Sequence, residues 1–310
     1  MGEFTGISWC RHTFNPWWGC VKVSEACRYC YAERDSNRFA PGLWGADAER
    51  RVSSEKIWGD PLRWDRAAKR VGERRRVFCA SMADVFEARD DLNPARARLW
   101  ALIAATPNHV WLLLTKRPQE ILSRIPSAWV EALPPNVWVG TSVENETAAR
   151  ERIPHLFAVP AKVLFLSCEP LLGPVDLRQY LDVGAGCPLD CAACDHKIDW
   201  VIVGGESGPS ARPMHPDWAR SLRDQCAANR VAFHFKQWGE WAPRTRDDGK
   251  PFDSLDTAKH ALIDIAGLPN ACLEAAGKGA APMSRVGKKA AGRVLDGVVH
   301  DAFPETATAP

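Results

Sequence analysis

Cys20, Cys27 and Cys30 fall within eleven residues, spaced C-x6-C-x2-C, just past an aromatic run of Phe14, Trp17 and Trp18. Three thiolates suit an ion or cluster that keeps one position open. A closed structural zinc site takes four ligands, whereas an iron–sulfur cluster held by three cysteines leaves one iron free to bind something else. Two other readings fit the same spacing: three reduced, partly buried cysteines, or a zinc site completed by a distant ligand such as His12. A second group, Cys187, Cys191, Cys194 and His196, offers C-x3-C-x2-C-x-H, four donors in ten residues. Soft sulfur plus imidazole reads as a zinc clip stapling a loop, with an auxiliary iron–sulfur cluster or no metal as alternatives. Cys10, Cys79, Cys168, Cys226 and Cys272 stand isolated and read as core or surface residues, Cys168 alone falling where it would line a cavity.

Carboxylates recur at three successive strand ends, Glu144, Glu169 and Glu206. Three such groups facing one cavity repel unless cations compensate, and Lys116, Arg117 and Lys236 are the candidates. Glu144, Glu169, Lys116 and Lys236 are therefore candidate catalytic groups for acid–base or metal-assisted work. Gly204-Gly205-Glu206-Ser207-Gly208 follows a strand, where glycines admit a ligand close to the backbone and a carboxylate holds an ammonium or ribose hydroxyls. It is not G-x-G-x-x-G, so the dinucleotide fingerprint is absent.

The elements that must position these groups show one rhythm. Apolar runs at Val77–Ala80, Val110–Leu114, Val137–Gly140, Val163–Leu166, Trp200–Val203 and Val231–Phe235 each end in a polar tip. Helices are expected over Tyr31–Phe39, Asn93–Ala105, from Asn145 to Phe157, and Pro216–Ala228, and a short strand over Gly6–Cys10. Short apolar strands alternating with helices imply βαβ units and a parallel sheet. Six strands after the cysteine loop and one before it predict a full or partial (β/α) barrel of six to seven parallel strands. A doubly wound open sheet is the competitor, but it would gather its signals at one crevice instead of on every tip. The barrel is expected over 1–241, with a Cys-rich insertion at about 182–198. Residues 242–310 read as a variable loop and a C-terminal basic segment packed on the barrel.

Across 310 residues, 40 Lys+Arg against 38 Asp+Glu give +2, so no global basic field advertises nucleic acid and any such binding rests on a local patch. Arg70, Arg74, Arg75 and Arg76 are one candidate phosphate-binding face, although such a run is more often a solvated helix end, and the loop-rich stretch around them also carries Trp44, Trp58 and Trp64. Eleven cysteines, clustered and odd in number, argue for a reducing compartment and for metal or cluster use instead of a disulfide framework. With no apolar signal core and no run of 18 apolar residues, the expectation is a cytoplasmic protein with no membrane association.

The run Ile7-Ser8-Trp9, Phe14 to Cys20 and Cys27 to Glu33 resembles the opening of the phage-associated three-cysteine-motif proteins, phage proteins of unknown function similar to radical S-adenosylmethionine (SAM) enzymes. The resemblance continues through Ser81–Asp84, Leu114–Pro118, Ser142–Asn145, Ser167–Leu171, Gly204–Gly208, Phe235–Gly239 and Val286–Ala290. It implies that Cys20, Cys27 and Cys30 bind three irons of a [4Fe–4S] cluster and that SAM takes the fourth. Reductive cleavage of SAM to a 5′-deoxyadenosyl radical then modifies or repairs a substrate. An electron donor such as a flavodoxin or ferredoxin is implied as partner. Tyr29 matches the aromatic position beside the adenine. Ser81, Asp84, Ser142, Asn145, Gly204, Gly205 and Glu206 are the remaining candidate SAM contacts. The first cysteine gap is six residues where radical SAM loops have three, and Cys187, Cys191 and Cys194 carry that usual spacing. The earlier trio is favoured because it follows the first strand. A nucleic-acid base or nucleotide is the favoured substrate class. The rivals are a zinc-stabilised nucleic-acid-binding module and a metal-dependent hydrolase using the strand-end glutamates.

Overall fold

The structure is a computed structural model that describes residues 2–182, 197–243, 259–266 and 279–305. Its main sheet has seven strands: β1 (His12–Thr13), β4 (Arg75–Cys79), β5 (His109–Thr115), β6 (Val137–Ser142), β7 (Leu164–Cys168), β8 (Trp200–Gly204) and β9 (Ala232–Gln237), in that spatial order. A two-stranded pair, β2 (Trp17–Trp18) and β3 (Arg51–Val52), stands apart from it. Sequential order in a parallel sheet sends every connection the same way, so there is no point at which the winding reverses. This is a partial (β/α) barrel, and the doubly wound alternative is excluded. The strands are near-continuous apolar runs because a parallel sheet is covered on both faces; all six residues of β6 are buried.

The helices are α1 (Tyr31–Asn37), α2 (Glu55–Val71), α3 (Asn93–Ala104), α4 (Ile121–Arg124), α5 (Glu146–Phe157), α6 (Arg178–Leu181), α7 (Pro216–Ala228) and α8 (Lys288–Ala291). By compactness the chain divides into two units, residues up to Ser142 with Glu151–Phe165, and Val143–Arg150 with Leu166 onward.

In the first unit, the strand expected over Gly6–Cys10 is absent and the pairing falls on His12–Thr13 instead, in register with Val77 and Phe78. The stretch read as loop-rich contains a 17-residue helix, α2. Gly59 and Pro61 disguise it, but Trp58, Pro61, Trp64, Asp65 and Ala68 recur at helical spacing on its buried face. Gly72, at φ +65°, ends it in the left-handed conformation. Trp58 and Trp64 are consequently core residues, not surfaces for bases. Phe14 packs edge-on against Trp58 and Trp111, and His12 stacks on Trp64 with ring centroids 4.5 Å apart. The arginine face also dissolves: Arg75 and Arg76 are successive residues of β4 and point to opposite sides. Arg76 is spent on the carbonyl of Trp9 at 3.1 Å.

In the second unit, α7 starts where expected, with Asp217 N donating to His215 Nδ1 at 3.1 Å, and buries Trp218, Ala219, Leu222 and Cys226. The region read as a variable loop supplies strands: β10 (Trp241–Pro243), β12 (Ala281–Arg285) and β11 (His260–Ile263) form an antiparallel sheet in that order. The segment after α8 covers the free edge of β9. Phe235 N donates to His300 O, and the indoles of Trp238 and Trp200 donate to Val294 O and Ala302 O. Asp296, at φ +52°, ties this cover to α7 through Arg220 and Arg223, which hold its carboxyl down at about 2. Covering an edge strand removes a template for unwanted pairing.

Burial pushes the His12 imidazole down to about 4 from 6.5, and His109, 5.8 Å away, is lowered for the same reason. A depressed pKa means the unfolded chain takes up protons first, so stability is fully present above about pH 6.5 and is lost as the pH falls toward 4. Urea midpoints compared at about pH 7.5 and 5 should therefore drop, with a limiting slope of ~1.4 kcal/mol per pH unit for each such group. His12→Phe keeps a ring on Trp64 but takes no proton, so its drop should be smaller.

Candidate functional site

The cysteine loop leaves the sheet at Gly19. Its N–H donates to Met82 O at 3.0 Å, and Gly19 bridges Ala83 in parallel, so the loop starts at the carboxyl end of β4. A side chain is excluded here: at φ +111° a Cβ would lie 2.3 Å from Leu43 O and 2.8 Å from Arg50 Cδ. Asn15 braces the same place by donating to Ser81 Oγ at 3.0 Å and accepting from Met82 N at 2.7 Å.

Cys20, Cys27 and Cys30 are free thiols, all half-buried. Cys20 donates to Val21 O at 3.4 Å, Cys27 Sγ lies 3.9 Å from Ser24 Oγ, and Cys30 immediately precedes α1. Burial pushes Cys20 up to about 12 and raises Cys30 as well. Tyr29 lies beneath the guanidinium of Arg28, 5.3 Å from ring centroid to Cζ, and Tyr31 donates its hydroxyl to Ser81 O at 2.9 Å. Among the described residues no three His, Cys, Asp or Glu side chains converge on a point that one metal ion would fill. His12, the candidate fourth zinc ligand, is fully buried on β1 with its ring stacked on Trp64. A four-iron cluster places its thiolates on separate irons, so it does not ask for that single-point convergence. The donors present suit it: three soft sulfurs on one loop, none in a disulfide. Cys187, Cys191, Cys194 and His196 lie outside the described residues.

Below the loop the first unit buries charge. Asp84 accepts from Thr115 Oγ1 at 2.9 Å, from Phe86 N at 3.0 Å, and from Arg117 Nη1 at 2.9 Å. Arg117 Nη1 also reaches Cys20 Sγ at 3.7 Å. Lys116 donates to Ser142 Oγ at 3.2 Å, so these two candidates meet. Glu87 and Arg50, missed in the sequence, form a fully buried bidentate pair at 2.6 and 3.0 Å. Arg50 spends its other donors on the carbonyls of Leu43, Gly45 and Ala48. Lys116 and Arg117, expected to balance the strand-end glutamates, find partners within this unit at Ser142 and Asp84.

In the second unit those glutamates find other partners. Lys236 Nζ meets both oxygens of Glu169 at 2.7 and 2.8 Å, and Gln237 Nε2 donates to the same carboxylate at 3.2 Å. Glu206 is gripped by Arg212 through its backbone N–H and its guanidinium, at 2.6–2.8 Å. Arg212 had no signal beyond lying six residues downstream. Glu144 is buried, its carbonyl accepting from Leu172 N, while Asn145 Oδ1 caps α5 at Ala148 N, 2.9 Å. Cys168 is fully buried and its thiol is pushed up by that burial, so it does not line a cavity. The glycines of this motif serve packing: a Cβ on Gly205 would meet Trp238 O at 2.0 Å, and one on Gly204 would stand 3.2 Å from the Glu169 carboxylate.

A family model described as "Protein of unknown function (DUF5131)" matches residues 4–304. The chain belongs to this family. A comparison with curated proteins finds no match. Among solved structures, the chain is similar to a spore photoproduct lyase double mutant with bound AdoMet and dinucleoside spore photoproduct, at 14% identity and a TM-score of 0.42, covering 72% of this chain and 62% of that one. It is also similar to a tyrosine-to-phenylalanine mutant of spore photoproduct lyase, at 13% identity and a TM-score of 0.44, covering 87% and 71%. The chain spans less than two thirds of the first of these. The strand order described above, not these likenesses, decides the fold class.

The two glycines separate rigid from yielding neighbours. Gly205→Ala drives a methyl into backbone and should cost about 1–3 kcal/mol of stability in urea unfolding. Gly204→Ala meets only a side-chain carboxylate and should cost less than about 1 kcal/mol, with no change of fold by circular dichroism.

Proposed function

We propose that this member of the family is a radical SAM-like iron–sulfur enzyme. The observation that carries the reading is the Cys20–Cys27–Cys30 loop. It holds three free thiols of one short segment, anchored through Gly19 at the carboxyl end of a parallel strand, with a guanidinium against the first sulfur. Cys20, Cys27 and Cys30 would hold a [4Fe–4S] cluster. When bound together, such a cluster and SAM supply a reducing electron and a radical able to take a hydrogen atom from a substrate.

The chain's own residues would bind and orient. In the first unit Tyr29 offers an aromatic face for adenine. Lys116 and Ser142 offer a cation and a hydroxyl to the amino-acid or ribose end of SAM, and Ser81 and Asp84 fix the strand tip beside them. In the second unit the Glu169–Lys236 pair offers an acid–base couple, with Glu144, Asn145, Gly204, Gly205 and Glu206 around the neighbouring tips. A nucleic-acid base or nucleotide remains the substrate class we favour, in keeping with the phage-associated resemblance; contact with a strand would need several basic residues and weaken steeply with salt. A flavodoxin or ferredoxin is the proposed electron donor.

Anaerobic reconstitution with iron and sulfide tests this. The expected product is a brown protein with about four irons per chain and broad absorbance near ~400 nm, yielding 5′-deoxyadenosine with dithionite and SAM. Cys27→Ala should lose most of the iron and all of the product. A colourless protein carrying zinc, or hydrolysis that needs neither SAM nor reductant and ignores Cys27→Ala, would replace this reading with one of its rivals.

A further inference from the structure

Arg117 is placed with more care than an ion pair with Asp84 requires. Its backbone N–H donates to Thr115 Oγ1 at 2.9 Å, Nη2 donates to Val21 O at 2.8 Å, and Nη1 lies between Asp84 Oδ2 at 2.9 Å and Cys20 Sγ at 3.7 Å. Arg117 and Asp84 are both buried side chains. A guanidinium keeps its charge in a protein, and the Asp84 carboxylate at 2.9 Å answers it. The other cations nearby are committed elsewhere, Arg50 to Glu87 and three carbonyls, and Lys116 to Ser142.

We infer that Arg117 is a positioning residue for the iron–sulfur site: its Nη1–H donates to the Cys20 sulfur, orients that ligand, and sets how readily the cluster accepts an electron. This rests on reading Cys20 as an iron ligand. An added electron makes the cluster more negative, and a donor or positive charge against a ligand sulfur stabilises that reduced form. Asp84 opposes the effect, because its carboxylate cancels part of the guanidinium's charge at the same sulfur. Removing Arg117 and removing the charge of Asp84 should therefore move the couple in opposite directions. A guanidinium serving only to hold the fold would not produce that reversal.

The test uses the full chain, reconstituted anaerobically with iron and sulfide and titrated with dithionite under EPR. Arg117→Gln should weaken reduction of the cluster about tenfold, a shift of about 59 mV to more negative potential for a one-electron couple. Arg117→Lys should recover part of it, and Asp84→Asn should shift the potential the other way. An unchanged potential in iron-loaded Arg117→Gln overturns the inference. Should these variants fail to fold or load, the wild-type protein grown with 15N-arginine decides: pulsed EPR of the reduced cluster should show a 15N coupling, and its absence overturns the inference. Wild-type protein that binds no iron overturns both this and the reading of the site, whereas a loaded enzyme with unmoved potentials overturns this alone.

Discussion

A carboxylate taken out of water must have its charge answered and its lone pairs filled, and Asp84 is where the first unit meets that demand. The hydroxyl of Thr115, the backbone N–H groups of Phe86 and Lys116, and the guanidinium of Arg117 all close on it. Breaking a buried pair of this kind typically costs about 3–5 kcal/mol, since the partner left behind is a charge without solvent. The tips of β4 and β5 are therefore held in one arrangement. The start of the cysteine loop rests on the same guanidinium, through Val21 O and Cys20 Sγ.

The second unit follows the same rule with different partners. Glu169 takes Lys236 and Gln237, and Glu206 takes Arg212, each with a cation at hydrogen-bond distance. Small residues make these pairings possible. Gly204 leaves room beside the Glu169 carboxylate, and Gly205 lets the chain pass against the backbone of Trp238. What reads in sequence as a ligand-cradling glycine motif is, at Gly205, a place where two strand ends touch.

The near-neutral charge of the chain is consistent with this local matching. Several arginines are engaged within the molecule: Arg50 with Glu87, Arg76 with Trp9 O, Arg117 with Asp84, Arg212 with Glu206. The tryptophans tell a similar story, Trp58 and Trp64 lying in the core on the inner face of α2. Composition counts residues but does not say which way they face.

The parallel sheet was legible because strands buried on both faces must be apolar throughout, and runs such as Val110–Leu114 and Trp200–Val203 admit no other regular use at that length. The helix over Pro216–Ala228 was legible for its periodic apolar face. The helix over Glu55–Val71 was not, since Gly59 and Pro61 mask its period. Nor were β11 and β12, whose short, only partly buried runs carry no continuous apolar pattern. Which cation answers which carboxylate was out of reach: Lys116 and Arg117 sit near the glutamates in the motif series, yet Ser142 and Asp84 take them. Apolar pattern and local spacing are properties of a few neighbouring residues, so the chain alone determines them. Ion pairing inside a protein depends on distances of a few ångströms between residues dozens apart, and only the packed tertiary structure decides those.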